Sequence, residues 1–201
     1  MTRYGPRIER ISERQFRDFA KRFATSPEIG PIRTSLDADA PGEPGVERVL
    51  VGLWGCDRLC AVACLHVYEG RADAACQVVK LDSVIADTDL RRRGLAGLLL
   101  AQSFKDLVAH GPGNVSRIYA HSVHPATVRL LRRLGFSDPP MVGAPISDIG
   151  VETEARDAFL KACEEPIRGR MDQMRLQCEL CRNADKRARP WCLPSGESRK
   201  F

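Results

Sequence analysis

The chain has 201 residues, 43% hydrophobic and 28% charged, with 31 basic against 26 acidic side chains and a net charge of +5. That length suits one generous domain with an appendage, and the balance is ordinary for a soluble globular protein. No apolar run approaches the roughly 20 residues of a membrane span, and the polar start, Met1 to Arg14 with Glu9 and Glu13, lacks the apolar segment of a signal peptide. The expectation is a cytoplasmic protein without a membrane partner.

The charge is unevenly placed. Residues 1–24 and residues 182–201 each carry a net charge of +4, and the body between them carries −3. Basic ends on a near-neutral body leave an acidic partner open, such as nucleic acid or an acidic protein, although solvated ends that aid solubility are the preferred explanation.

Tyr4 to Ile11 reads as a first strand. Ser12 followed by Gln15 resembles a capping box, so a helix is expected over Glu13 to Ala24, with Phe16, Phe19, Ala20 and Phe23 on its buried face. Thr25 to Gly45 carries four prolines and reads as a long loop, an active-site wall or a mobile segment. Arg48 to Trp54 and Leu59 to Val67 read as strands joined by the turn Gly55-Cys56-Asp57-Arg58, and Ala75 to Ala86 as a third strand beside them. Leu95 to Ala109 is a helix ended by Gly111-Pro112-Gly113-Asn114. Val115 to Val123 is a strand, and Pro125 to Leu134 a short helix stopped by Gly135. After Phe136, Asp138-Pro139-Pro140 breaks structure, and Met141 to Ile149 is the only strand-like piece. Ala155, Ala158, Phe159, Ala162 and Cys163 mark a helical face that Pro166 and Gly169 interrupt, and Met171, Met174, Cys178 and Cys181 continue it. The last twenty residues are polar and basic enough to be disordered.

The densest chemical signal is Asp89-Leu90-Arg91-Arg92-Arg93-Gly94-Leu95-Ala96-Gly97, between the strand ending at Ala86 and the helix opening at Leu95. A helix N-terminus offers free backbone N–H groups and the positive end of the helix dipole. Gly94 and Ala96 remove bulk that would keep an anion away, which makes a phosphate or pyrophosphate the natural ligand. No Gly-Lys-(Ser/Thr) follows, so a P-loop is excluded. The mid-chain position after antiparallel-looking strands disfavours a dinucleotide fold.

Arg91-x-x-Gly94-x-Ala96 resembles the (Gln/Arg)-x-x-Gly-x-(Gly/Ala) signature of the GNAT superfamily of acyl-CoA N-acyltransferases. About 30 residues later, His124-Pro125-Ala126-Thr127-Val128-Arg129-Leu130-Leu131-Arg132-Arg133-Leu134-Gly135-Phe136 is similar to that family's second segment. The resemblance covers roughly Arg48 to Phe136. It implies an α+β (α/β) fold: a central mixed, mostly antiparallel sheet with flanking helices, here with a helical C-terminal extension. The expected organisation is a GNAT-like domain over 1–150 and a helical extension with a basic tail over 151–201. It also implies acetyl-CoA as co-substrate. Val84, Ile85 and Ala86, on a strand end that splays from its neighbour, would hold the pantetheine arm. The backbone of Arg91, Arg92, Arg93, Gly94, Leu95, Ala96 and Gly97 would hold the pyrophosphate, with Arg92 and Arg93 adding charge.

Attack by an amine of pKa near 10 calls for a carboxylate or histidine as base. Asp82, His66, His121 and Ser122 are candidates, with Asp82 and His121 preferred. Asp82 lies two residues before Val84 and so, by strand alternation, on its face. The family's usual acid, a tyrosine in the second segment, aligns with Leu131, and its asparagine with His124. The function these residues imply is N-acetyl transfer to a primary amine on a small molecule or protein, with a homodimer left open. An acyl-CoA-binding module without turnover and a nucleic-acid-associated, toxin-like acetyltransferase are the alternatives.

Eight cysteines are many for this length. Cys60, Cys64 and Cys76 fall in strand-like runs and read as buried hydrophobes in a reducing compartment. Cys178-x-x-Cys181 has half-site spacing for zinc, but Cys163 and Cys192 do not pair as a second half-site, so no metal is expected.

Overall fold

The computed structural model describes residues 5–22, 45–56, 58–69, 76–110, 114–121, 125–136, 148–152 and 156–183. The loop over 25–44, Asp57, Ser122, His124, Asp138-Pro139-Pro140, Cys192 and the basic tail lie outside them.

Six strands form one sheet in sequence order: β1 (Arg7–Arg10), β2 (Val46–Gly55), β3 (Arg58–Glu69), β4 (Cys76–Ala86), β5 (Asn114–His121) and β6 (Asp148–Glu152). Every neighbouring pair is antiparallel except β4 and β5. That parallel pair requires a crossover, and helix α2 (Leu95–His110) provides it. The sheet is therefore mixed and mostly antiparallel, as the sequence implies.

Helix α1 (Glu13–Lys21) begins where its cap dictates. The Gln15 N–H donates to Ser12 Oγ at 3.2 Å, and the Ser12 N–H donates back to Gln15 Oε1 at 2.8 Å. Phe16, Phe19 and Ala20 are buried against Ile11, Leu50, Leu59, Val62, Cys64 and Ile85 on one side of the sheet. A second, larger cluster joins Val49, Ala63, Leu65, Val79, Leu81 and Ile118 of the sheet to Leu98, Leu99 and Phe104 of α2 and Leu131 of helix α3 (Pro125–Arg133). β3 lies between the two clusters and is buried from Leu59 to Leu65, which is why its sequence reads as a continuous apolar run.

One expectation is corrected. The helix after residue 155 is one element, α4 (Arg156–Asn183), and runs through Pro166 and Gly169. An interior proline costs a helix about 3 kcal/mol. Burial of Phe159, Cys163 and Met174 in the large cluster, with Ile167 and Met171 packed against it, holds the helix on both sides of that position. Of the strand-like piece expected over Met141 to Ile149, residues 141–147 lie outside the described residues; its end belongs to β6, which pairs with the edge of β5 in the register Ala120–Ile149 and Ile118–Val151. Residue 150 thus falls inside β6, and α4 completes the core. Phe104 of α2, Phe136 just after α3 and Phe159 of α4 meet with centroids 5.6 to 6.1 Å apart.

Candidate active site

Beside β4, the sheet opens. Among the described residues the parallel ladder between β4 and β5 ends at the Leu81–Ala120 pair, while β4 continues on its other side to Ala86, opposite Ala61 of β3. Asp82 to Ala86 therefore have no β5 partner in that ladder. Val84 and Ala86 pack partly against the large cluster, and Ile85 is buried in the smaller one.

The chain then turns through Asp87 and a short 3-10 segment, Thr88–Leu90, into α2. Asp87 is 4% exposed and anchors this turn. Its N–H donates to the Cys60 carbonyl at 2.9 Å, its Oδ1 accepts from the Asp89 N–H at 3.1 Å, and its Oδ2 accepts from Arg58 Nη2 at 2.5 Å. Arg91 to Gly94 are exposed, with left-handed φ at Arg92 (63°) and Gly94 (74°). The Arg91 N–H is used internally, donating to the Thr88 carbonyl at 3.3 Å. The donors without a bond inside the turn or helix begin further on. The first N–H to bond back within α2 is that of Leu98, to the Gly94 carbonyl at 3.0 Å. The N–H groups of Leu95, Ala96 and Gly97 thus head the helix without intrahelical acceptors. No acidic residue sits in this first turn to oppose an anion.

The small residues have different duties. A Cβ on Gly94 would lie 2.9 Å from Nε of Arg170, so a guanidinium from α4 stands over the turn. A Cβ on Gly97 would lie 3.0 Å from Leu130 Cδ1, so Gly97 admits α3 against α2. Leu95 is a core residue and Ala96 is half-buried. The turn, α2 head and strand end fit a phosphorylated, extended ligand: donors in one turn, a nearby cation, and an adjoining strand whose β5 side carries no ladder past Leu81 among the described residues. Arg170 was not legible in the sequence, because nothing local marks which face of a 28-residue helix reaches residue 94.

Asp82 is not on the face of Val84. The register between β3 and β4 shifts from Cys64–Ser83 to Leu65–Leu81, so Asp82 is the extra residue of a bulge. A bulge interrupts alternation. It places Asp82 with Cys64 and His66, and one ligand-type atom from each of the three lies within 4.8 Å of the others. Among the described residues, buried Asp82 Oδ2 has no hydrogen-bond partner. Burial pushes the Cys64 thiol up from 9.0 to about 12, and the Asp82 carboxylate adds to the rise. His121 ends β5, paired with Asp148 of β6; only its backbone is described. Tyr119 is paired with Lys80, itself opposite His66, on the sheet face that carries His66. Leu131 is fully buried, so the position of the usual family acid carries core packing. Cys163 is likewise fully buried in the core.

No protein-family model and no curated protein matches the sequence. Solved structures do match the fold. Arabidopsis thaliana NAA60, in complex with acetyl-CoA, is similar with TM-score 0.53 and 13% identity over 74% of this chain and 99% of that one. A tandem GNAT protein from the clavulanic acid biosynthesis pathway is similar with TM-score 0.52 and 13% identity over 68% of this chain and 45% of the longer tandem chain. An uncharacterized protein from Bacillus halodurans gives TM-score 0.54 and 10% identity over 85% of this chain and 97% of its own. The chain has the acyl-CoA N-acyltransferase fold of GNAT proteins.

Proposed function

We propose that the chain is an acetyl-CoA-dependent N-acetyltransferase acting on a primary amine of a small molecule or protein. The observation that carries this reading is the junction where β4 parts from β5 after Leu81 and runs through the Asp87 turn into the head of α2. The NAA60 neighbour, crystallised with acetyl-CoA, supports the same ligand. In this reading the backbone of Leu95 to Gly97 holds the pyrophosphate, with Arg92, Arg93 and Arg170 supplying charge, and the backbone of Val84 to Ala86 holds the extended arm.

Acetyl-CoA brings an activated thioester. The amine nitrogen attacks its carbonyl, the C–N bond forms, the C–S bond breaks, and the thiolate takes up a proton. Asp82 is the favoured base: a partly buried carboxylate at the bulge, with one oxygen unpartnered among the described residues. His121 at the end of β5 is the other candidate. With Leu131 buried, the proton for the thiolate comes from solvent or another side chain, which a thiolate of low basicity tolerates.

Titration calorimetry of the full chain with acetyl-CoA tests the reading. Saturable one-to-one binding is expected, with at least about tenfold weaker binding for Gly94→Trp, which fills the turn. Absence of binding at millimolar ligand overturns it. Burial of Leu131 favours one second reading, an acyl-CoA-binding module without turnover. Product formation on any amine of a broad panel excludes that alternative.

A further inference from the structure

We propose that Cys64, His66 and Asp82 form a binding site for one divalent transition-metal ion of the zinc type, with three protein ligands and an open fourth position. The argument starts with ligand chemistry. A thiol, an imidazole and a carboxylate are the three donor types that zinc uses, and three protein ligands with one open place is the arrangement of its reactive sites. Geometry comes next. Cys64 and His66 lie two apart on β3 and so share a face, and the bulge brings Asp82 of β4 to them. Cys64 Sγ and His66 Nε2 are 3.8 Å apart. Tetrahedral angles with ordinary Zn–S and Zn–N bonds separate sulfur and nitrogen by about 3.6 Å. The donor atoms of all three residues fall within 4.8 Å of one another, a span that small rotamer adjustments close.

The surroundings agree. Both strands belong to the centre of a packed sheet, which fixes the frame. Buried Asp82 Oδ2 has no hydrogen-bond partner among the described residues, and a buried carboxylate oxygen without one is costly. Bound metal would satisfy it. His66 and Asp82 are half-buried, so the site is reachable from solvent. The charged groups facing Cys64 are Asp82 and Glu13 on one side of the balance and Arg48 and Lys80 on the other. Arg48 is engaged by Glu13 in a close ion pair, which offsets its repulsion of a cation.

The same three residue types in proximity also describe a cysteine nucleophile with its base. Cys64 is ill-suited to that role: burial keeps its thiol protonated up to about 12, and the thiolate is the nucleophile. A metal ion displaces the proton directly.

The test is a cobalt(II) titration of the full chain, stripped of metal by dialysis against a chelator. Cobalt bound to a thiolate gives a charge-transfer band in the near ultraviolet. The expected result is one equivalent bound with that band. The band persists in the double variant Cys178→Ser, Cys181→Ser and disappears in Cys64→Ser. Asp82→Asn and His66→Gln each weaken binding by at least about tenfold, the lesser loss seen even for outer-shell partners. Circular dichroism checks each variant. Should Cys64→Ser not fold, the Asp82 and His66 variants decide by the same tenfold criterion. No band at stoichiometric cobalt, a band surviving in folded Cys64→Ser, or unchanged affinity in folded Asp82→Asn overturns the site. The site does not rest on the acyl-transfer reading; with Asp82 on the metal, the base of that reading is His121, and acetyl-CoA calorimetry on the same preparation reports that reading separately.

Discussion

Arg58 at the start of β3 donates through Nη2 to Oδ2 of Asp87 at 2.5 Å, and the two side chains are 12% and 5% exposed. The pair ties the strand in the middle of the sheet to the turn that opens the candidate cleft. Removing one partner leaves the other buried with a longer ion pair, Asp87 with Arg22 at 3.7 Å or Arg58 with Asp89 at 3.6 Å, so the cost reaches at most the roughly 3–5 kcal/mol of a buried pair broken outright. Asp87→Ala and Arg58→Ala are each expected to lose stability within this bound in urea unfolding, and the double variant to lose less than the two losses added. Additive losses would show that the two residues do not act as a pair.

Gly94 separates backbone strain from side-chain crowding. With φ at 74°, an L residue there costs about 1–2 kcal/mol, whereas the Arg170 side chain that its Cβ meets can swing aside. Gly94→Ala is expected to lose that much stability, and Arg170→Ala in the same background to restore none of it. Recovery in the double variant would place the cost in the contact instead.

Arg170 stands over the head of α2 but is exposed, so its contribution to anion binding is that of a surface charge. Such pairs are worth about 0.2–1 kcal/mol. Arg170→Ala should weaken acetyl-CoA binding by no more than about fivefold, with the difference shrinking as salt rises. A loss of a hundredfold or more would assign Arg170 a much closer role.

Phe104 lies at the meeting point of α2, α3 and α4, fully buried against Phe136 and Phe159. Phe104→Ala is expected to cost about 3–5 kcal/mol. A loss under about 1 kcal/mol in denaturant unfolding would mean that α4 does not share the core of the sheet.

In the metal-free chain, two buried thiols give stability a dependence on alkaline pH. Burial raises Cys64 and Cys163 from 9.0 to about 12 in the folded chain, whereas in the unfolded chain they ionise near 9.0. Above about 9 the unfolded state binds fewer protons than the folded one, so stability falls with rising pH until about 12, by up to about 1.4 kcal/mol per pH unit for each thiol. Below 9 both states keep these protons and the slope from them vanishes. Comparing urea midpoints below 9 and about one unit above it should show a smaller decline for Cys163→Ala than for the parent chain. Equal declines would remove Cys163 from the effect.

Local rules made much of this legible. Ser12 and Gln15 announced α1, the apolar run Leu59 to Val67 announced β3, and Arg91-x-x-Gly94-x-Ala96 announced the helix head and, with the Gly135-Phe136 segment, the fold. What was hidden depended on pairing between distant segments. Strand alternation put Asp82 beside Val84, but a register shift opposite Cys64 and Leu65 reversed it. Pro166 read as a break because the apolar stripe from Phe159 to Met174 declares its worth only when α2 lies against it. The cluster of Cys64, His66 and Asp82 needed both strands and the bulge before its members could be seen as neighbours.

The single parallel pair in the sheet also orders events in time. β1 to β4 are joined by antiparallel pairings, whereas β5 can dock on β4 only after the whole of α2 has crossed over. Long-range closures of this kind come late and slowly. The seam between β4 and β5 would then be the last part of the sheet to zip and the first to breathe, so amide exchange along Val115 to Ala120 should outpace that of β3, and a ligand lodged at the seam should slow it most there.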